Sequence, residues 1–194
     1  MSRPSSKEAI LDAAETIVRE EGAVHMTLDA VAEHAGVSKG GVMYNFPTKD
    51  ALLEAMVSRM VKRLDQVRGN VRQGLSEENR NELMVEIRML QSEYACDRRL
   101  GIALMAVAAT QPALTQAIRE EMHNRFFGEI FTEQNITRAS ILYFAALGLH
   151  FHDLLHLSLL ESKEKNAVFE ELLTLANDAG EFWAQDLKSP KQDA

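Results

Sequence analysis

Cysteine, proline and tryptophan are scarce in this chain: among 194 residues there are one Cys, four Pro and one Trp. A single cysteine, Cys96, excludes an internal disulfide and fits the reducing cytoplasm. It reads as a small buried apolar group rather than a reactive thiol. No proline falls between Pro47 and Pro112, so no ring interrupts a helix there. Long apolar runs are missing as well. The longest uncharged apolar stretch, Gly101 to Ala109, is far short of the about 20 residues that span a bilayer, so no membrane partner is expected. The opening from Met1 to Glu8 is polar with no apolar run behind it, which predicts no cleavable signal. Positive charge is in deficit: 21 Lys and Arg stand against 29 Asp and Glu, for a formal net charge of −8. Unspecific binding to nucleic acid, which depends on neutralising phosphates, is disfavoured by that balance.

Hydrophobic residues make up 46% of the chain, enough for a substantial core, and helical spacing organises nearly all of them. Ser5 and Glu8 form a capping-box pattern ahead of Ile10, Leu11, Ala14, Ile17 and Val18, and Gly22 supplies a helix stop. Thr27 caps a second helix with Leu28, Val31, Ala32 and Ala35 inward and Asp29 near its positive end. Gly36 breaks that helix and Val37 plugs the corner. Ser38 caps a third helix that runs to about Asn45, where Phe46-Pro47 stops it. Thr48 caps a long fourth helix with Leu52, Leu53, Met56, Val57, Met60, Val61 and Leu64 as its apolar set. Further helices are expected over Glu77–Ala95, Arg98–Thr110, Pro112–Thr132, Thr137–Leu160 and Lys163–Lys188. The fold class is all-α: an N-terminal three-helix unit over 1–50, then a larger helical body over 51–194.

The window from Thr27 to Asp50 carries the functional information. No carboxylate lies between Glu33 and Asp50, although residues 1–50 as a whole hold five Lys/Arg against eight Asp/Glu. Val42, Met43 and Phe46 supply an inner apolar set, leaving Lys39, Gly40, Gly41, Tyr44 and Asn45 outward. Each glycine in a helix interior costs roughly 1 kcal/mol relative to alanine, and close approach of the backbone to nucleic acid would offset it. Two short helices around a glycine turn, the second with a small outer face, suit a helix–turn–helix that seats its second helix in the major groove. Any DNA contact must then be made by a small surface with its carboxylates turned away, and salt-sensitive binding is expected.

The runs Thr27–Ala35, Gly36-Val37-Ser38-Lys39-Gly40 and Tyr44-x-Phe46-Pro47-x-Lys49-Asp50-x-Leu52-Leu53 resemble the DNA-binding domain of the tetracycline-repressor (TetR) family, with every landmark at its spacing over about residues 7–53. Over the rest of the chain the resemblance is one of architecture only. It implies a sequence-specific transcriptional regulator, a repressor by steric occlusion. Such a protein binds a (pseudo)palindromic operator in double-stranded DNA as a homodimer and is released by a small, largely apolar effector. No cofactor is implied. It further implies that Thr27, Tyr44 and Lys49 hold phosphates and that Ser38, Lys39 and Gly40 open the recognition helix. Gly41 and Asn45 then fall where sequence is read, and Arg3 and Lys7 form an arm toward the minor groove. Position 41 is commonly larger and position 45 commonly histidine in the family, so Gly41 and Asn45 leave the operator open. Asn45 could pair with adenine at N6 and N7.

In the body, Met89, Met105, Phe126, Phe127, His150 and Asp153 are candidate effector contacts, because methionine adapts to irregular shapes and the polar pair can orient a ligand. Met84, Met122, Tyr143 and Phe144 belong to the same apolar set. The resemblance places a dimer interface on the last two helices, with Phe151, Leu155, Leu159, Leu172, Leu175 and Phe182 as candidates. Ala145, Ala146 and Gly148 would allow close helix approach there. The run from Gly148 to His156 also sets His152 and His156 four apart beside Asp153, a spacing that can hold zinc or iron. Histidines on an apolar helix more commonly bond at an interface or line a pocket, so no metal is assigned. The alternative function is a helical small-molecule or metal-binding protein, or an enzyme, built on His150 to His156. The chain offers no nucleophile motif, phosphate loop or paired catalytic carboxylates, so an enzyme is not expected.

Overall fold

A computed structural model describes residues 6–76, 81–92, 98–110, 116, 119–120, 122–124, 126–127, 130 and 136–186, excepting the side chains of 98, 99, 108, 110 and 178–186. Arg3, Ser5, Cys96, Pro112 and the side chain of Phe182 lie outside the described residues. Eight helices are delimited among them: α1 Ser6–Glu20, α2 Leu28–Ala35, α3 Lys39–Asn45, α4 Lys49–Gly74, α5 Glu82–Gln91, α6 Arg98–Thr110, α7 Ile136–Leu154 and α8 Ser162–Asp186. Residues 116–127 are helical wherever they are described, and no described residue is in a strand. No helix among the described residues is long and apolar enough to cross a membrane.

The chain packs as two compact units: Met1–Asp65 with Cys96–Arg119, and Gln66–Ala95 with Glu120–Ala194. In the first, Ile10, Ile17, Met26, Val31, Val42, Leu52, Leu53 and Met56 are fully buried from solvent, and Leu100 and Leu104 of α6 join the same core. Fully burying each such side chain contributes about 1.5–3 kcal/mol, which is what clamps a helix as short as α3. The second core gathers Leu83 and Ile87 of α5, Leu142, Tyr143 and Ala146 of α7, Phe169 and Leu173 of α8, and Phe126.

Each unit also buries one glutamate against arginines of α4. In the first, the Glu15 side chain is only 4% exposed, with Arg63 Nη1 at 2.8 Å and Arg59 Nε at 3.6 Å. Arg59 also pairs with Asp12 and Glu8. Burial pulls the Arg59 guanidinium down, but the hydrogen bond to Asp12 and the charges of Glu15, Asp12 and Glu8 outweigh it and raise its pKa above the usual value. In the second, Glu86 is 3% exposed with Arg68 Nε at 2.6 Å, and Arg72 pairs with Glu82.

Three boundaries and one inner residue differ from the sequence reading. Helix α5 begins after Asn81, whose Oδ1 accepts from the Met84 amide at 2.8 Å, and ends before Ser92. Helix α7 stops at Leu154 rather than Leu160. There His156 takes a left-handed φ of 57°, and the Leu157 amide returns to the His152 carbonyl at 2.7 Å, closing a turn usually built on glycine. Met43 is 46% exposed and takes no place in the core; only Val42 and Phe46 of that expected trio are buried. In so short a helix the wall of the first core covers one narrow stripe, and position 43 lies off it.

Candidate nucleic-acid interface

Local chemistry of the chain fixes each end of the reading head. Thr27 is extended (φ −116°) and its Oγ1 accepts from the Ala30 amide at 3.1 Å, leaving the start of α2 facing solvent. Gly36 sits at φ 64°, where a side chain would be strained, and its amide reaches back to the carbonyls of Ala32 and Glu33. The following Val37 amide bonds the Ala32 carbonyl at 3.0 Å while its side chain packs on the core, setting the angle between α2 and α3. Ser38 caps α3 by accepting from the Gly41 amide at 3.1 Å, and Thr48 caps α4 by accepting from the Ala51 amide at 3.0 Å.

Only Val42 of α3 is fully buried. Tyr44, two residues on and so on the opposite side of the helix, is 90% exposed, so its ring covers no core. Gly40 and Gly41 carry the sharpest observation. Neither has the positive φ that would require glycine, and an added Cβ would find only Ser38 Oγ at 3.9 Å from Gly40, or Ser38 Oγ at 3.4 Å and Val37 Cβ at 3.8 Å from Gly41. Those are ordinary contact distances, so nothing inside the protein demands either glycine.

The structure gives three outward side chains partners that sequence spacing did not suggest. Lys39 Nζ lies 2.9 Å from Asp29 Oδ2, both side chains more than half exposed. Asn45 Nδ2 donates to the Gly41 carbonyl at 2.9 Å, which orients the amide so that Oδ1 points away from that bond. Lys49 Nζ donates to the Ala23 carbonyl at 3.2 Å, tying the loop after α1 to the start of α4. Lys7 places its ammonium 5.7 Å from the centre of the Phe46 ring, a cation–π contact beside the end of α3. The Asn45 bond is one turn back within α3, whereas the partners of Lys39 and Lys49 come from another helix and from a loop, and only the folded corner sets those two meetings.

Two family models match the chain: that of bacterial regulatory proteins, tetR family, over residues 10–56, and that of the tetracyclin repressor-like C-terminal domain over residues 82–177. The chain belongs to the TetR family. It is a TetR-family transcriptional regulator with a DNA-binding helix–turn–helix. Among solved structures it is similar to the multidrug binding protein EbrR in complex with imidazole, with a TM-score of 0.67 and 23% identity over 88% of this chain and 96% of that one. A member of the TetR family from Streptomyces coelicolor A3 superposes with a TM-score of 0.69 and 23% identity over 87% and 98%. A TetR transcription regulator from Haloarcula marismortui gives 0.67 and 19% over 88% and 97%. At these identities the likeness is one of fold. A search of curated proteins finds no match.

The candidate residues of this regulator's body scatter. Met89 and Phe126 are buried in the second unit, whereas Phe127 is 52% exposed. Met105, half-buried, belongs to the first unit. His150 is half-buried, with Nδ1 2.9 Å from the Leu90 carbonyl, and Asp153 Oδ2 is 2.8 Å from Lys165 Nζ. The expected four-residue pairing of His152 and His156 on one helical face does not form, because α7 ends between them. Among the described residues no group of three His, Cys, Asp or Glu is placed to hold a metal. Of the expected interface residues, Leu155 and Leu159 are 46% and 89% exposed, and Phe151 and Leu175 are half-buried. Leu172 is 7% exposed inside its own unit's core and offers little surface to a partner. The sequence reading missed Ile141 and grouped Phe144 with the effector set; they are 63% and 61% exposed on α7, on the stripe that continues through Ala145, Gly148 and His152.

Proposed function

We propose that this regulator is a homodimeric, cytoplasmic repressor, not an enzyme, that occupies a pseudopalindromic operator and leaves it when a small, largely apolar effector enters the second unit. The observation that carries the DNA-reading part is the pair Gly40–Gly41: two glycines in a seven-residue helix, with room for side chains and no internal reason to lack them. In this reading Ser38 opens α3 toward the major groove, Lys39 contacts bases or phosphates, and Gly40 and Gly41 let the backbone approach. Thr27 and the Tyr44 hydroxyl take phosphates, and Lys49 steadies the flanking backbone. With Asn45 Nδ2 already donating to Gly41, its Oδ1 is the group offered to a base, which suits the exposed amino group of adenine or cytosine.

The dimer uses the exposed α7 stripe of Ile141, Phe144, Ala145 and Gly148, extended by Leu155 and Leu159. A Cβ built on Gly148 meets nothing within 4 Å, which leaves a notch for a partner helix. The effector contacts are drawn from Met89, Phe126, Phe127, His150 and Asp153 in the second unit. The solved EbrR complexes hold imidazole, malachite green and ethidium, and an aromatic effector of that kind suits the apolar residues here. Mobility shift of DNA upstream of the protein's own gene tests the reading. Specific retardation at low salt that is lost on adding an aromatic cationic dye is the expected result. Absence of specific binding at low salt sinks the repressor assignment.

A further inference from the structure

The carboxylate of Asp29 stands where a DNA-reading head would be expected to avoid one. Asp29 lies in the first turn of α2, two residues after the Thr27 cap, and its Oδ2 is 2.9 Å from the ammonium of Lys39, the first residue of α3. Both side chains are largely exposed, at 69% and 57%, so neither charge is forced into the pair by burial. An exposed pair of this kind contributes little to stability, and a helix start alone accounts only for an acid near α2, not for its closure on Lys39. The stretch between Glu33 and Asp50 holds no carboxylate, and Asp29 reaches into it from outside to meet Lys39.

We propose that Asp29 is a specificity-determining residue of the reading head, which holds Lys39 back from the phosphates of unmatched DNA. The inference rests on the DNA-binding reading above. A lysine already neutralised by a carboxylate gains little by exchanging that anion for a phosphate, which every sequence supplies. It gains more where a base presents acceptors in line with its ammonium, as guanine does with O6 and N7 in the major groove. Asp29 therefore lowers affinity for all DNA and lowers it most for DNA without the matching base. Discrimination is the difference between those two losses.

The test uses the full-length protein with Asp29→Asn, Lys39→Ala and the double variant, and two probes: a random-sequence duplex, and a duplex selected from a randomised pool by the wild type. Glu33→Gln, on the same helix, controls for total charge, and thermal unfolding checks that each variant folds. Asp29→Asn is expected to bind the random duplex about two- to fivefold tighter at low salt, the range set by an exposed pair. Its salt dependence should steepen by about 0.9 in log–log slope, one phosphate's worth. Its preference for the selected duplex should fall by a similar factor. In the Lys39→Ala background Asp29→Asn should add little. The proposal is overturned if Asp29→Asn leaves random-duplex binding unchanged, if Glu33→Gln gives the same gain, or if the gain survives without Lys39. A wild type that retains neither duplex overturns the DNA-binding reading itself, a pattern distinct from those three.

Discussion

The two units of this regulator bury their apolar residues in the same way and dress their surfaces differently. Around the reading head the surface is made of helix caps, glycine backbone and polar tips: Thr27, Ser38, Gly40, Gly41 and the upright Tyr44. Along α7 of the second unit and the chain after it the surface is hydrocarbon, with Ile141, Phe144, Leu157 and Leu159 each at least 60% exposed. Amide ends and hydroxyls suit an anionic partner that keeps its water until contact; a continuous apolar stripe suits a partner of its own kind. The two surfaces are therefore built for different partners. The interiors repeat one device, a glutamate sealed against arginines of α4, but with different exposure. Arg63 against Glu15 is 44% exposed, whereas Arg68 against Glu86 is 12% exposed.

That difference in exposure gives the largest expected effect. Breaking a buried ion pair from one side strands the other charge, at a cost of about 3–5 kcal/mol. Arg68→Ala should approach that figure, while Arg63→Ala, which leaves Arg59 beside Glu15, should lose only about 1–2 kcal/mol. Urea unfolding gives the totals, and amide hydrogen exchange separates α5 from α1 so that each loss is assigned to its unit. Equal losses from the two variants would mean that the burial of the arginine does not set the cost of losing it.

The apolar stripe comes next. Phe144→Asp places a charge in the middle of the exposed α7 face without touching the core, so the fold should persist while self-association weakens by about 2 kcal/mol or more, as for a central interface residue. Light scattering reads the mass and mobility shift the operator affinity, which should fall with it because two heads then bind without being joined. A variant that stays dimeric places the interface elsewhere.

The reading head was legible in sequence because its signals are local. Thr27, Ser38 and Thr48 cap helices that start within a residue of them, and Gly36 must be left-handed for the chain to turn as it does. What stayed hidden depends on parts of the chain that meet only after folding. The period of α6 gave its ends, yet only packing assigns Leu100 and Leu104 to the first core. Periodicity also placed Leu172 on an apolar face without deciding whether that face meets its own unit or a partner. The histidine cluster dissolved for a related reason: its spacing presumes a helix that continues, and a left-handed His156 ends it. Lys39 and Asp29 are ten residues apart on different helices, beyond any pattern of i+3 and i+4.

A third expected effect turns on the glycines. Gly40→Ala adds a methyl in open space and removes backbone freedom from the unfolded chain, so the protein should become more stable by up to about 1 kcal/mol. DNA binding should weaken in the same variant, because the methyl lies where the backbone would approach the groove. Stability and binding moving in opposite directions separates a functional glycine from a structural one; movement together would make Gly40 an ordinary helix residue.

The smallest expected effect probes a surface tie of the second unit. Arg88 Nη1 and Nη2 hold Glu170 Oε1 and Oε2 at 2.5 and 3.0 Å, and Gln91 Nε2 adds a bond to Oε1 at 3.1 Å. The hydrogen bonds from Arg88 and then Gln91 lower the Glu170 pKa from its ordinary 4.5, against a smaller opposing push from burial. A carboxylate more acidic in the folded state than in the unfolded one stabilises the fold above the unfolded value, and that contribution is lost as pH falls through 4.5 toward the lower folded value. With the Glu170 side chain 55% exposed the gain stays under about 1 kcal/mol. Glu170→Gln should therefore unfold slightly more easily than the wild type at neutral pH, and the two curves should converge in acid. A gap that persists well below pH 4.5 would assign the loss to the shape of the Arg88 fork rather than to charge. It would also mean that α5 and α8 are held together by packing of Ile87 and Phe169, as the first unit's helices are held by theirs.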